Sequence, residues 1–222
     1  MRRLVVLRPE PGASETVERA LVMGLDAFAM PLFAVEPVAW AAPDPREFDA
    51  LLLTSANAVR HGEAGLDALR ALPVYAVGEA TAAAARAAGF EIAAVGEGGV
   101  DALLLAIPSG IRLLHLCGEH RTAAATAQAL PVYSSVALPL PNHFQAIEAQ
   151  VVAVHSPRAG HRLAELVAEA GIDRATVRIA AISPAAATAA GDGWAACEAT
   201  AAPNEAALLA LAARLCDNPV TI

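Results

Sequence analysis

The sequence predicts a doubly wound α/β protein made of two similar parallel-sheet domains. Three observations predict it: short Val, Leu and Ile runs alternate with longer Ala-rich segments, several runs are apolar at consecutive positions, and the series of strand-end motifs occurs twice. Runs such as Leu51-Leu52-Leu53 and Val151-Val152-Ala153-Val154 mark strands buried on both faces, as helix-covered parallel sheets require. Aromatics are only 4% of a chain that is 56% hydrophobic. The apolar weight is therefore Ala, Leu and Val, which suits Ala-rich helices packed on aliphatic strands and not a disordered chain.

In chain order the expected strands are 4–7, 27–33, 50–54, 74–77, 91–95, 112–116, 132–138, 151–154, 178–182 and 197–200. Helices fall between them and end on glycines that accept a left-handed backbone. A segment from about 14 to 23 stops at Gly24, and the Ala-rich segment after Thr81 stops at Gly89. Leu163, Leu166, Val167 and Ala170 form an i, i+3, i+4, i+7 stripe that Gly171 closes. Strand–helix alternation of this kind reads as doubly wound α/β.

The repeat is visible residue by residue. Residues 51–58 (LLLTSANA) resemble 152–159 (VAVHSPRA), 74–81 resemble 178–185, and 97–104 resemble 202–209. Matching order and near-constant offset suggest two copies of one unit. Such domains would meet at a cleft, a usual place for a small-molecule site.

Bulk properties narrow the function. A net charge of −8 opposes nonspecific nucleic-acid binding, which needs a basic surface for counterion release. Cys117, Cys197 and Cys216 are odd in number and far apart, which fits a reducing compartment better than a disulfide framework. The N-terminal apolar run is too short for a signal segment, and the uncharged stretch 122–147 is interrupted by Pro131, Pro139 and Pro141. The expectation is a soluble, cytoplasmic protein that engages no membrane.

Ligands of doubly wound sheets bind beyond the carboxyl ends of the strands. Here those ends carry Thr54-Ser55, Gly78 to Thr81, Gly118-Glu119, Ser156-Pro157 and Ser183-Pro184. Small residues let a ligand approach the main chain, and helix-start N–H groups favour anions. Any one of these hydroxyls is explained by helix capping; the set together points to a polyanion site. Phosphate-loop, dinucleotide and nucleophile-elbow motifs are absent. His115, Cys117 and His120 are close in sequence, but with no second ligand cluster they make a poor metal site.

Taken together these strand-end motifs resemble the uroporphyrinogen-III synthase family over nearly the whole chain. They are Val6 to Pro9, the Leu-Leu-Leu-Thr-Ser-Ala-Asn-Ala-Val block (Leu51 to Val59), and Val74 to Thr81. Leu116 to Arg121, Val132-Tyr133, His155 to Gly160 and Ala180 to Pro184 complete the set. The resemblance implies two flavodoxin-like domains joined by a two-strand linker. One domain would be discontinuous (1–34 and 142–222), the second would span 39–130, and residues 33–38 and 131–141 would connect them.

It also implies the reaction: hydroxymethylbilane loses its hydroxyl as water, ring D inverts through a spiro intermediate, and the macrocycle closes without a cofactor. The substrate is a linear tetrapyrrole polycarboxylate. The expected binding residues are Arg8, Thr54, Ser55, Asn57, Gly78, Thr81, Gly118, Ser156, Arg158 and Ser183, with Arg121 also available. Tyr133 matches the family's candidate acid, against the plainer reading of a half-buried linker-strand aromatic. Ala185-Ala186 follow Ser183-Pro184 where some members carry threonines, which removes hydroxyls from that turn. A monomer is expected. The competing readings are a non-enzymatic bilobed binder of small anions and an inactive synthase-like scaffold.

Overall fold

The computed structural model describes residues 2–96, 99–120 and 127–217. The chain divides into two compact units, Met1–Ala34 with Ala137–Ile222, and Val35–Val136.

The first unit holds a five-stranded, wholly parallel sheet. Its strands are β1 (Leu4–Val6), β2 (Ala27–Ala29), β9 (Val151–Val154), β10 (Arg178–Ala181) and β11 (Ala196–Ala199), numbered along the whole chain. They lie in the order β11-β10-β9-β1-β2. Counted within the unit this is 2-1-3-4-5, the flavodoxin-like order, with its reversal between β1 and β9. Helices α5 (Pro157–Glu169) and α6 (Pro184–Ala190) cover one face through Leu163, Leu166, Val167 and Ala186. Helices α1 (Gly12–Val22) and α7 (Glu205–Asp217) cover the other through Ala13, Ala20, Leu208, Leu211 and Leu215. Side chains of β1 alternate between the two cores, Val5 facing one and Leu4 and Val6 the other, as strand geometry requires.

Helices α5 and α6 approach closely at Gly160, where an added Cβ would lie 2.7 Å from the Ala186 carbonyl oxygen and 3.0 Å from the Ala190 nitrogen. Both are backbone atoms and cannot swing aside. Gly160→Ala should therefore destabilise the protein by about 1–3 kcal/mol. A lowered thermal midpoint would register this; an unchanged one would show that the helix pair can spread at no cost.

The second unit contains β4 (Ala50–Leu53), β5 (Val74–Val77), β6 (Ile92–Gly96), β7 (Leu113–Gly118) and most of β8 (Ala127–Ala137). Parallel ladders join β8, β7, β4, β5 and β6 in that order. Strand β3 (Phe33–Pro37) borders β8 and completes six strands. Helices α2 (Asn57–Arg60) and α3 (Glu79–Ala87), with a 3-10 segment at Glu63–Leu69, pack Ala58, Leu66, Leu69, Ala82 and Ala85 on Leu51, Leu53, Leu114 and Leu116. Helix α4 (Val100–Ala106) comes after β6 in the chain.

The repeat seen in the sequence covers β4-β5-β6 and β9-β10-β11. In space β7 and β8 stand beside β4 as β1 and β2 stand beside β9, although one pair follows its repeat in the chain and the other precedes it. The two units are thus circularly permuted versions of one sheet.

Two strands differ from expectation: the strand read at 132–138 is β8, which already begins at Ala127 and ends at Ala137, and a second one is split. Residues 27–33 read as a single strand, but β2 ends at Ala29 and β3 begins at Phe33. Pro31 sits in the gap, where its missing N–H cannot extend a ladder. The two strands belong to different sheets.

The second unit's central ladder is fixed at its entrance by Asp49 and Arg112. Arg112 donates from Nη2 to Asp49 Oδ1 at 2.7 Å and from its main-chain N to Oδ2 at 2.9 Å. These bonds hold the Asp49 carboxyl down to about 2.

Candidate functional site

In the second unit the sheet order reverses around β4 and β7, so the ends of these strands are where a doubly wound sheet offers a ligand site. A pocket of about 310 Å³ lies there, lined by Thr54, Ser55, Val77, Val100, Gly118, His120 and Tyr133. Four of the expected site residues, Thr54, Ser55, Gly118 and Tyr133, are brought together by it.

Tyr133 reaches this place through an irregularity in β8. Pro131 pairs with Cys117, the register shifts, and Gly118 is opposite Tyr133. Proline lacks the N–H a ladder needs and is confined to edges and bulges. The extra residue, Val132, is buried in the core, and Glu119 N–H donates to the Tyr133 carbonyl at 3.0 Å. The Tyr133 ring lies directly over Gly118: a Cβ at 118 would be 2.7 Å from Cε2 and 2.9 Å from Cζ. His61 stands at a tilt to the same ring, 6.3 Å between centroids.

Burial pushes the Tyr133 phenol above its ordinary value of 10.0, and the nearby Cys117 adds to this; the Ser55 hydroxyl and Gly118 main chain act the other way. The group stays a neutral donor through the physiological range. Burial, with Arg60 alongside, lowers His61.

Thr54 continues β4 into the pocket, and its Oγ1 is 3.0 Å from Nε2 of His115, which is only 1% exposed on β7. The sequence reading weighed His115 only as a metal ligand and missed this partnership. Among the described residues no cluster of three or more His, Cys, Asp or Glu side chains is arranged to hold a metal. Ser55 accepts from Asn57 N–H at 3.2 Å, and Asn57 Oδ1 receives Arg60 Nη1 at 3.4 Å. Gly78 adopts φ +78° as the residue before α3, a conformation that favours glycine. Thr81 is 5% exposed, within the first turn of α3, and neither it nor Asn57 lines the pocket. Arg121 lies outside the described residues.

In the first unit the expected residues occupy the equivalent strand ends. Ser156 and Ser183 accept from Ala159 N–H (3.1 Å) and Ala186 N–H (3.2 Å), so both hydroxyls are helix caps. Arg158 lays its guanidinium 4.4 Å from the centre of the Phe33 ring. Arg8, after β1, donates to Thr16 at 3.3 Å and lies 3.6 Å from Glu205 at the start of α7. Gly12 makes room for it, since a Cβ there would be 2.6 Å from Arg8 Nε. Glu205 also accepts from Thr16 and, at 2.5 Å, from Arg19.

His155, after β9, was absent from the expected set. Burial first, then the Arg8 charge, pushes its imidazole down to about 4, although Glu205 and the Ala153 main chain favour the cation. Among the described residues neither ring nitrogen is in hydrogen-bond geometry with a partner. A histidine held below its unfolded value of 6.5 supports the fold above that pH and loses the contribution as pH falls toward 4, about 3 kcal/mol in all. His155→Leu should therefore lose less thermal stability than the parent between pH 7 and pH 4.5. Parallel losses would show that the imidazole takes up its proton without strain.

A family model described as uroporphyrinogen-III synthase HemD matches residues 14–210. The chain belongs to the uroporphyrinogen-III synthase family. Members of this family are lyases of haem biosynthesis. None of the curated proteins matches the sequence. Among solved structures, uroporphyrinogen-III synthetase from Helicobacter pylori is 18% identical at a TM-score of 0.66, with 97% of this chain and 100% of that one covered. A mutant uroporphyrinogen III synthase from Thermus thermophilus is 19% identical at 0.54, covering 97% and 98%. These likenesses show the shared two-domain flavodoxin-like fold.

Proposed function

We propose that the chain performs its family's reaction, closing hydroxymethylbilane to uroporphyrinogen III with inversion of ring D and loss of water, and that the Tyr133 pocket is where the hydroxyl departs. The observation that carries this is a neutral phenol at the pocket wall beside Thr54, Ser55 and Gly118. Loss of hydroxide from the bilane needs a proton, and a protonated phenol supplies one. The cation left behind is delocalised over the pyrroles, so no covalent partner from the protein is required. The remaining work is conformational: the chain must be held so that the substituted carbon of ring D is attacked.

The acetates and propionates of the substrate need donors on a protein of net charge −8. In this reading they come from the Thr54 and Ser55 hydroxyls and from N–H groups at helix starts such as that after Gly78. At the strand ends of the first unit Arg8 and Arg158 supply positive charge, while Ser156 and Ser183 set the local backbone. The residues named belong to one chain, so a monomer suffices, and a cytoplasmic location fits three cysteines that form no disulfide. Within the described residues no helix is long and apolar enough to cross a membrane.

Hydroxymethylbilane generated in situ should yield predominantly the type III isomer. Spontaneous closure yields type I, so an isomer ratio unchanged by the folded protein would reject the reading.

A further inference from the structure

His115 sits in the middle of β7 between Leu114 and Leu116, and only 1% of it is exposed. Leu114 and Leu116 face the core formed with Leu51 and Leu53, so His115 projects from the opposite face of the sheet. Its ladder partners are Leu52 on β4 and Ala129 on β8. Thr54 lies two residues beyond Leu52, on that same face, which explains how its Oγ1 comes to lie 3.0 Å from His115 Nε2. An imidazole among leucines is costly to bury without such a bond. The hydroxyl that makes this bond belongs to a residue that lines the pocket.

A threonine hydroxyl has one hydrogen and two lone pairs. If Thr54 spends its hydrogen on the imidazole, only an acceptor faces the pocket, and a carboxylate would be repelled. If Nε2 carries the proton, the hydroxyl accepts from below and its hydrogen is free for the pocket. We propose that His115 is a positioning residue: its Nε2–H donates to Thr54 Oγ1 and thereby commits the threonine to donate to a carboxylate of the substrate. This rests on the reading of the Tyr133 pocket as the tetrapyrrole site. The histidine touches no substrate and acts on binding alone.

The test is steady-state kinetics of His115→Leu and His115→Gln, with isomer analysis of the product. His115→Leu should raise KM about tenfold, the loss expected when a hydrogen bond to a charged group is disordered, while kcat stays within about twofold. His115→Gln, which restores an N–H donor, should return KM to within about threefold of the parent. A structural role alone would lower the thermal midpoint and leave KM where it was, and that outcome overturns the proposal. So does a glutamine variant that fails as badly as leucine. A second measurement needs no variant. The ¹⁵N spectrum of the imidazole in the wild-type chain should show a protonated Nε2, and an unprotonated Nε2 overturns the proposal even if His115→Leu does not fold. A parent protein that forms no type III isomer would refute the parent reading instead, so the two failures are distinct.

Discussion

Gly118→Ala should lower kcat by about a hundredfold, the loss that follows when a reacting group is misplaced by roughly an ångström. The backbone at 118 has no need of glycine's left-handed freedom, since Gly118 is not among the residues with positive φ. What forbids a side chain is the ring above it: the new Cβ would lie 2.7 Å from Tyr133 Cε2 and 3.2 Å from the phenol oxygen. The glycine belongs to the central strand β7, paired on both sides, so the ring must give way. Moving it takes the hydroxyl away from Ser55 and alters the pocket wall. The variant should fold, because the pocket side of the ring is open. Combining it with Tyr133→Phe should cost no more activity than Tyr133→Phe alone, since both changes act on one hydroxyl. Multiplied losses would show that Gly118 serves the substrate directly.

Tyr133→Phe should also lower kcat by about a hundredfold, at the lower end of the contribution of a positioned acid, with KM little changed. The ring keeps its place over Gly118 and against the core, so only the proton donor is lost. The pH dependence separates this role from packing. Because burial raises the phenol's pKa above 10.0, its donor form persists through neutrality and is lost only above pH 10. The parent's kcat should fall on that alkaline side, and the phenylalanine variant should lack that fall. Wild-type turnover in the variant would reduce Tyr133 to a packing residue.

Most strands were legible because burial on both faces leaves unbroken aliphatic runs. Ala50–Leu53 and Val151–Val154 fall where those runs stand in the sequence. The split between β2 and β3 was harder to see, since Pro31 interrupts seven residues that are otherwise apolar or small. The circular permutation was illegible for a different reason. Self-similarity aligns β4-β5-β6 with β9-β10-β11 but says nothing about which strand pairs beside them, and pairing at such separation is a tertiary outcome.

The candidate site divides similarly. Thr54, Ser55 and Gly118 were readable as small residues at strand ends. That Gly118 exists to seat Tyr133 depends on a register shift beyond Pro131, which no local pattern encodes. Ser156 and Ser183 satisfied both readings of a strand-end hydroxyl, and their geometry is that of caps. His115 escaped notice as a partner of Thr54 because the two are 61 residues apart and meet only through the β4–β7 ladder.

The central claim is that main-chain amides and hydroxyls of small-residue turns grip a polycarboxylate at the Tyr133 pocket. Amide NMR of the ¹⁵N-labelled chain, titrated with uroporphyrinogen III under reducing conditions, tests it most directly. The largest shifts are expected at Ser55, Glu79 and Gly118. Shifts confined to residues remote from those turns, with the three amides unmoved at saturation, would contradict this.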